Sequence, residues 1–155
     1  MPDREFVTHS SEETVARGRE LALQIKPPLL VLLTGELGAG KTTLAKGIIS
    51  GLGVAREEDI TSPTFTLVHT FTGSIKAFHV DLYRISGAQD FHTLGLEDLF
   101  DTPAVVIIEW PDHMRLRTDW PVLRIQLEHL GGDIRRISVS EIASDGVNPK
   151  TGCAT

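Results

Sequence analysis

The stretch LLVLLTGELGAGKTT, Leu29–Thr43, decides the fold. Leu29–Leu33 is apolar at every position, which in so short a run indicates a strand buried on both faces of a sheet. Gly35–Thr42 matches the pattern G-x-x-x-x-G-K-S/T, and Lys41–Leu52 has the composition of a helix closed by Gly53. A buried strand, a glycine-rich turn and a helix in this order predict a phosphate-binding loop.

The residue types of this loop suit a nucleoside triphosphate with Mg²⁺. Glycines let backbone N–H groups approach phosphate oxygens closely, and the start of the helix adds unpaired N–H donors and its positive dipole end. Lys41 is placed to reach the β- and γ-phosphates, and the Thr42 hydroxyl is a candidate Mg²⁺ ligand. The predicted nucleotide contacts in the loop are Glu36, Leu37, Gly38, Ala39, Gly40, Lys41, Thr42 and Thr43.

Acidic and hydroxyl side chains follow the other predicted strands. Glu109 comes directly after the apolar run Ala104–Ile108, where a carboxylate would hold the metal. Asp81 follows Ile75–Val80 and either orients an attacking water or caps a turn. The hydroxyl-rich segment Thr61–Phe65 either senses the γ-phosphate, as switch segments do, or is an ordinary turn.

The rest of the chain predicts an α/β protein. Ser10 or Ser11, followed by Glu13, favours the start of a helix that runs to about Gln24. Alternating apolar residues predict two hairpins, Phe65–Phe71 with Ile75–Val80 and Val122–His129 with Ile134–Ser140. One or two short helices are expected between Asp81 and Asp101.

Together these patterns predict a P-loop NTPase fold, a single three-layer domain with a mixed, largely parallel central sheet and a C-terminal β-hairpin. The domain is expected to span residues 1–143, and residues 144–155 are expected to form a disordered tail.

The composition of the chain argues against direct binding to nucleic acid or to a membrane. The chain has 155 residues and a net charge of −6, which argues against a broad electrostatic grip on nucleic acid. Its one cysteine, Cys153, can form no internal disulfide. No apolar run approaches the ~18 residues of a membrane span. We therefore expect a cytoplasmic protein with no membrane partner.

Five segments together resemble one family. Gly35–Thr43, Ser62–Phe65, Asp81–Arg84, Gly95-Leu96 and Ile108–Trp110 occur in the order and spacing of the TsaE family, the bacterial ATPases of tRNA threonylcarbamoyladenosine biosynthesis. The similarity runs from about Ser11 to Ser140. It departs at 86–91, where many relatives carry Asp-Pro-Glu-Glu-Leu and this chain has Ser-Gly-Ala-Gln-Asp-Phe.

The resemblance implies an Mg²⁺-dependent ATPase that is slow alone and works with homologues of TsaB and TsaD. Those partners install threonylcarbamoyl on adenosine 37 of tRNAs that read codons starting with A, so tRNA would be reached through the complex. By the same resemblance, Lys41 holds phosphate and Thr42 and Glu109 serve Mg²⁺. Thr64 and Asp81 link nucleotide state to activity, and residues near Ser11 and Arg136 contact the nucleotide.

Two other functions fit the phosphate loop alone. In a small-molecule kinase, Met114–Arg117 would be an arginine lid over the phosphates, although it is equally a solvated basic loop. In a nucleotide-gated binding module, ATP would only order the Ser62–Phe65 segment. A GTPase is disfavoured, because the chain has no Asn-Lys-x-Asp segment to read guanine.

Overall fold

The computed structural model describes residues 3–36, 38–63, 67–82, 96–109 and 118–142. Within these ranges two α-helices, α1 (Ser11–Ala22) and α2 (Lys41–Gly51), accompany one mixed sheet. Its strands are β1 (Arg4–Thr8), β2 (Leu29–Gly35), β3 (Val68–Thr72), β4 (Lys76–Asp81), β5 (Val105–Glu109), β6 (Val122–Gly131) and β7 (Ile134–Ile142).

The described part of the sheet has seven strands in the order β1-β7-β6-β2-β5-β4-β3. The four central strands, β6, β2, β5 and β4, are parallel, and β1, β7 and β3 are joined through antiparallel pairings. The predicted mixed α/β sheet is therefore confirmed, and β2 is central and buried on both faces as predicted. Because parallel strands end at one edge, the ends of β2, β5 and β4 meet there.

Side chains of the sheet alternate between two apolar layers. Val31, Leu33 and Ile107 pack with α1 and α2 on one face. On the other face Leu32 and Ile108 pack with Phe100, from the 3₁₀ helix Glu97–Phe100, and with Trp120. The rings of Phe100 and Trp120 meet edge to face with centroids 4.7 Å apart. Both faces of the sheet are thus covered, in agreement with the predicted three-layer arrangement.

Glycines bring α1 and α2 into backbone contact. A Cβ atom built on Gly47 would lie 2.2 Å from the carbonyl oxygen of Val15 and 3.0 Å from the Cα of Gly18. One turn later, a Cβ atom on Gly51 would lie 2.7 Å from the Cβ of Ala22. Small residues four apart on both helices therefore allow a separation that larger side chains would prevent, which joins α1 tightly to the helix that carries Lys41.

The start of α1 follows the predicted capping pattern with one change. The Ser10 hydroxyl accepts a hydrogen bond from the backbone N–H of Glu13 at 3.0 Å, so Ser10 is the N-cap. The Glu13 carboxylate accepts from the N–H of His9 at 3.1 Å, one residue before the cap. The helix ends at Ala22, two residues before the predicted end at Gln24.

Both predicted hairpins are present within the described ranges. The first joins β3 to β4 through a turn at 73–75, and β3 begins at Val68, after Leu67, whose φ of +64° lies outside the strand region. Residues 64–66 of the predicted strand lie outside the described residues. The second joins β6 to β7, where Gly131 and Gly132 have φ values of +113° and +54° that glycine adopts without strain. Of the helices predicted between Asp81 and Asp101, only the 3₁₀ helix falls in the described part.

Two further predictions lie outside the described residues. They are the disordered tail at 144–155 and the basic segment 114–117. Neither α1 nor α2, the α-helices of the part that is described, has the length and hydrophobicity to cross a membrane.

Candidate functional site

The glycine-rich loop connects the end of β2 to the start of α2. Gly38 and Gly40 have φ values of +82° and +98°, which turn the backbone in a way that L side chains rarely allow. Gly40 is the N-cap of α2, and no side chain of the described residues caps this helix. The N–H groups at the start of α2 are therefore not taken up by a side-chain cap, an arrangement that suits a phosphate-binding loop. Leu37 lies outside the described residues.

Lys41 is the first residue of α2 and is only 5% exposed. Its Nζ atom donates hydrogen bonds to the carbonyl oxygens of Gly35 and Glu36, each at 2.9 Å. Burial lowers the pKa of Lys41 from its ordinary value of 10.5, and the negative charges of Glu109 and Asp81 offset part of that effect. The Lys41 ammonium group therefore lies over the loop, and the negative charges of Glu109 and Asp81 stabilise its positive charge.

Thr42 and Glu109 join the loop helix to the end of β5. The Thr42 hydroxyl lies 3.0 Å from both carboxylate oxygens of Glu109, a side chain that is 4% exposed. The two residues predicted as metal ligands are therefore brought together, although 67 positions separate them in the chain. A hydroxyl and a carboxylate are hard oxygen donors of the kind that Mg²⁺ prefers, so the donor set fits this ion.

Asp81 lies beside Glu109 at the same edge of the sheet. The two residues are direct partners in the pairing of β4 with β5, so their carboxylates stand on neighbouring strands. The Ser62 hydroxyl donates to Asp81 Oδ2 at 3.3 Å, which ties the hydroxyl-rich segment to the site. Thr64, predicted to act in that segment, lies outside the described residues, and its role stays a prediction.

The sequence reasoning missed His79, which completes the buried cluster. His79 is 0% exposed, and its Nε2 atom lies 2.8 Å from Glu109 Oε2. A signal for it was present, because side chains two apart on a strand share a face and His79 stands two residues before Asp81. Within a run of apolar strand residues, this histidine was the one polar side chain on the side of the loop.

The sequence of most of the chain matches one protein family. The family model "Threonylcarbamoyl adenosine biosynthesis protein TsaE" matches residues 8–137. The chain belongs to the TsaE family. The resemblance on sequence motifs is thereby confirmed.

Several relatives in the TsaE family cover most of the chain. The protein of Treponema pallidum named for tRNA threonylcarbamoyladenosine biosynthesis is 33% identical over 86% of this chain and 98% of its own. The Bacillus subtilis protein of the same name is 32% identical over 93% and 89%. The crystal structure of Bacillus subtilis YdiB superposes with a TM-score of 0.63 and 27% identity, covering 97% of this chain and 89% of that one.

In this TsaE family member, the arginine that lies at the loop is Arg135. Its Nη2 atom donates to the Gly38 carbonyl at 3.3 Å, and its Nη1 atom donates to Gly132 at 2.8 Å. Arg136, which the resemblance suggested as a nucleotide contact, is instead paired with Glu128 at 2.9 Å and Glu5 at 3.5 Å. The structure therefore does not bring Arg136 to the loop.

Strand alternation explains which arginine reaches the TsaE loop. Ile137 and Val139 of β7 pack in the layer of α1 and α2, so Arg135 shares their face and Arg136 points to the other. The same periodicity, read in the sequence, would have distinguished the two. Ser11 is exposed as the first residue of α1, and a nucleotide contact by Ser11 stays a prediction.

Proposed function

We propose that this chain binds ATP with Mg²⁺ and hydrolyses it as the ATPase of tRNA threonylcarbamoyladenosine formation. In this proposal it acts in the cytoplasm on a complex of TsaB and TsaD homologues, which forms N6-threonylcarbamoyladenosine at position 37 of tRNAs reading codons that start with A. The observation that carries the proposal is the hydrogen-bonded pair Thr42 and Glu109, which sets a hydroxyl and a carboxylate beside a phosphate-binding loop.

The loop would bind the triphosphate through its backbone and one side chain. Gly38 and Gly40 hold the turn open, and the uncapped start of α2 offers N–H groups to phosphate oxygens. Lys41 donates to two loop carbonyls, and we expect it to exchange at least one of these bonds for a phosphate oxygen. Its buried charge would then meet a negative partner.

Thr42 and Glu109 would hold Mg²⁺. Bound there, the ion would neutralise charge on the phosphate oxygens during transfer of the terminal phosphoryl group to water. Asp81, next to Glu109 on β4, is the carboxylate available to orient the attacking water and accept its proton.

The contact between Ser62 and Asp81 suggests how nucleotide state would reach a partner. Ser62 belongs to the hydroxyl-rich segment after Ile60, and its hydroxyl donates a hydrogen bond to the Asp81 carboxylate at 3.3 Å. A change at Asp81 during hydrolysis would release or hold that segment. Such ordering of a short segment by the terminal phosphate is a common switch. The partners themselves are proposed from family membership.

The decisive experiment is phosphate release by the wild type, Lys41→Ala and Glu109→Ala, each with and without TsaB and TsaD homologues. We expect slow release by the wild type alone and faster release with the partners. Lys41→Ala should weaken nucleotide binding, whereas Glu109→Ala should mainly impair hydrolysis. Lys46→Ala, on the same helix and half-buried, is the matched control and should behave as the wild type.

Full partner-stimulated turnover in both site variants would refute the mechanism. Phosphate transferred to a metabolite instead of water would favour a kinase. Equal activation of the partners by a non-hydrolysable ATP analogue would favour a nucleotide-gated module in which hydrolysis is not required.

A further inference from the structure

The His79 imidazole is a buried polar group that the proposed reaction does not use. It is 0% exposed in the middle of β4, where a buried histidine destabilises the fold unless it is hydrogen-bonded. Its Nε2 atom lies 2.8 Å from Glu109 Oε2. We propose that His79 is a positioning residue that fixes the Glu109 carboxylate as a metal ligand, an inference that rests on the proposed function.

The contacts of Glu109 come from two directions. Thr42 approaches from α2 and contacts both carboxylate oxygens at 3.0 Å, and His79 approaches from β4 and contacts Oε2. A glutamate side chain has several rotatable bonds, and a free one would sample many positions. Contacts from a helix and from a strand together restrict the carboxylate to one position. Partners of this kind around a metal ligand commonly decide both its orientation and the metal affinity.

The hydrogen-bonding state of the ring indicates which atom is the donor. His79 Nδ1 is buried, and within the described part of the chain it has no hydrogen-bond partner. A buried N–H without an acceptor is rarer than an unused acceptor atom. The proton therefore belongs on Nε2, which donates to Glu109, and Nδ1 carries the lone pair. In this arrangement the ring donates through Nε2 and orients the Glu109 carboxylate.

This arrangement predicts an effect on the metal that is separate from the effect on the nucleotide. Within the described residues the imidazole bonds to Glu109 and to no residue of the loop, so its loss should leave the phosphate contacts of the loop unchanged. Loss of the imidazole should instead lower the affinity for the divalent ion and the rate of turnover, because both depend on Glu109. A purely structural role would instead lower stability and weaken both kinds of binding together.

The test uses Mn²⁺ as a spectroscopic substitute for Mg²⁺. Binding of Mn²⁺ to the ADP-loaded full chain is titrated by electron paramagnetic resonance for the wild type, His79→Leu and His79→Gln, and ADP affinity is measured separately in EDTA. Leu fills the space without a donor, whereas the Gln side-chain amide can donate to Glu109. His69→Leu, at the position that pairs with His79 across β3 and β4, is the matched control.

We expect His79→Leu to weaken Mn²⁺ binding about tenfold or more, with metal-free ADP affinity within twofold of the wild type. His79→Gln should restore most of the Mn²⁺ affinity, and His69→Leu should retain it. Wild-type Mn²⁺ affinity in a folded His79→Leu would overturn the inference while leaving the proposed function intact. Failure of the wild type to bind Mn²⁺ with ADP would instead refute the proposed function, and this inference with it.

A measurement on the wild type keeps the inference testable if His79→Leu does not fold. Long-range ¹H–¹⁵N correlation spectra of the imidazole should show the Nε2–H tautomer for His79, with a changed Nε2 shift in Glu109→Gln. An Nδ1–H tautomer would overturn the inference, because Nε2 could not then donate to the carboxylate.

Discussion

Asp81 and Glu109 are direct partners in the pairing of β4 with β5, so two carboxylates end neighbouring strands beside the phosphate loop. Their roles are separated by their contacts. Glu109 accepts a hydrogen bond from Thr42 of α2, whereas Asp81 accepts one from Ser62 in the hydroxyl-rich segment. These contacts suit the proposed roles, with Glu109 holding the metal and Asp81 orienting the attacking water.

We expect Asp81→Asn to lower ATP hydrolysis about a hundredfold, because an amide cannot take the proton of the attacking water. ADP affinity should stay within threefold, since the loop contacts are unchanged. Phosphate release and ADP titration measure the two effects. Asp101→Asn, an exposed site after the 3₁₀ helix, is the control. Normal hydrolysis by Asp81→Asn would refute a role for this carboxylate in activating the attacking water.

Arg135→Ala should weaken ADP binding about tenfold, or about 1.4 kcal/mol. The substitution removes a positive charge from the loop, where Arg135 donates a hydrogen bond to the Gly38 carbonyl. Arg136→Ala should stay within twofold of the wild type, since Arg136 pairs with Glu128 and Glu5 on the opposite face. Calorimetric titration of ADP compares the two. A larger loss for Arg136→Ala would show that the nucleotide lies on the other side of β7.

The sequence contained enough local information to predict the phosphate loop and its strand. Leu29–Leu33 is apolar throughout, and the glycine pattern before Lys41 specifies a backbone that few other residues can adopt. Glu109 was predicted from its place directly after the apolar run Ala104–Ile108, together with the need of a phosphate loop for a carboxylate that holds the metal. Those features depend on neighbours in the chain.

The missed features depend on neighbours across the fold. Strand periodicity places His79 on the same face as Asp81, but its contact with Glu109 became visible only when β4 was placed next to β5. The contact between Gly47 and Val15 depends on how closely α1 approaches α2, a distance that no single helix specifies. Arg135 is an exception, because strand alternation alone distinguishes it from Arg136.

Gly47→Ala should lower the free energy of unfolding by about 3 kcal/mol, near the upper end for overpacking. The new Cβ would lie 2.2 Å from the backbone oxygen of Val15, which cannot rotate away as a side chain would. Urea unfolding measures the change. Gly53→Ala is the matched control: it has open space and a φ of +78°, so only about 1–2 kcal/mol is expected. Greater stability of Gly47→Ala, as its higher helix propensity alone predicts, would contradict the close contact of the helices.

Lys41 should make the stability of the nucleotide-free protein rise with pH in the alkaline range. Burial lowers the pKa of Lys41 from 10.5, and the carboxylates of Glu109 and Asp81 offset only part of the lowering. Below the folded-state pKa, both the folded and the unfolded chain carry the charge, and the full cost of burying it is present. Between that pKa and 10.5 the unfolded chain binds more protons, so folding becomes more favourable as pH rises.

The measurement is the free energy of unfolding of the wild type minus that of Lys41→Met, from urea titrations between about pH 7 and about pH 10. The difference should move in favour of the wild type as pH rises, with a slope no steeper than about 1.4 kcal/mol per pH unit for one proton. Lys46→Met, at the half-buried lysine of the same helix, is the control for loss of a lysine from α2. A difference that falls with pH would mean that the carboxylates outweigh burial, and that the apo site stabilises the Lys41 charge instead of holding it at a cost until phosphate binds.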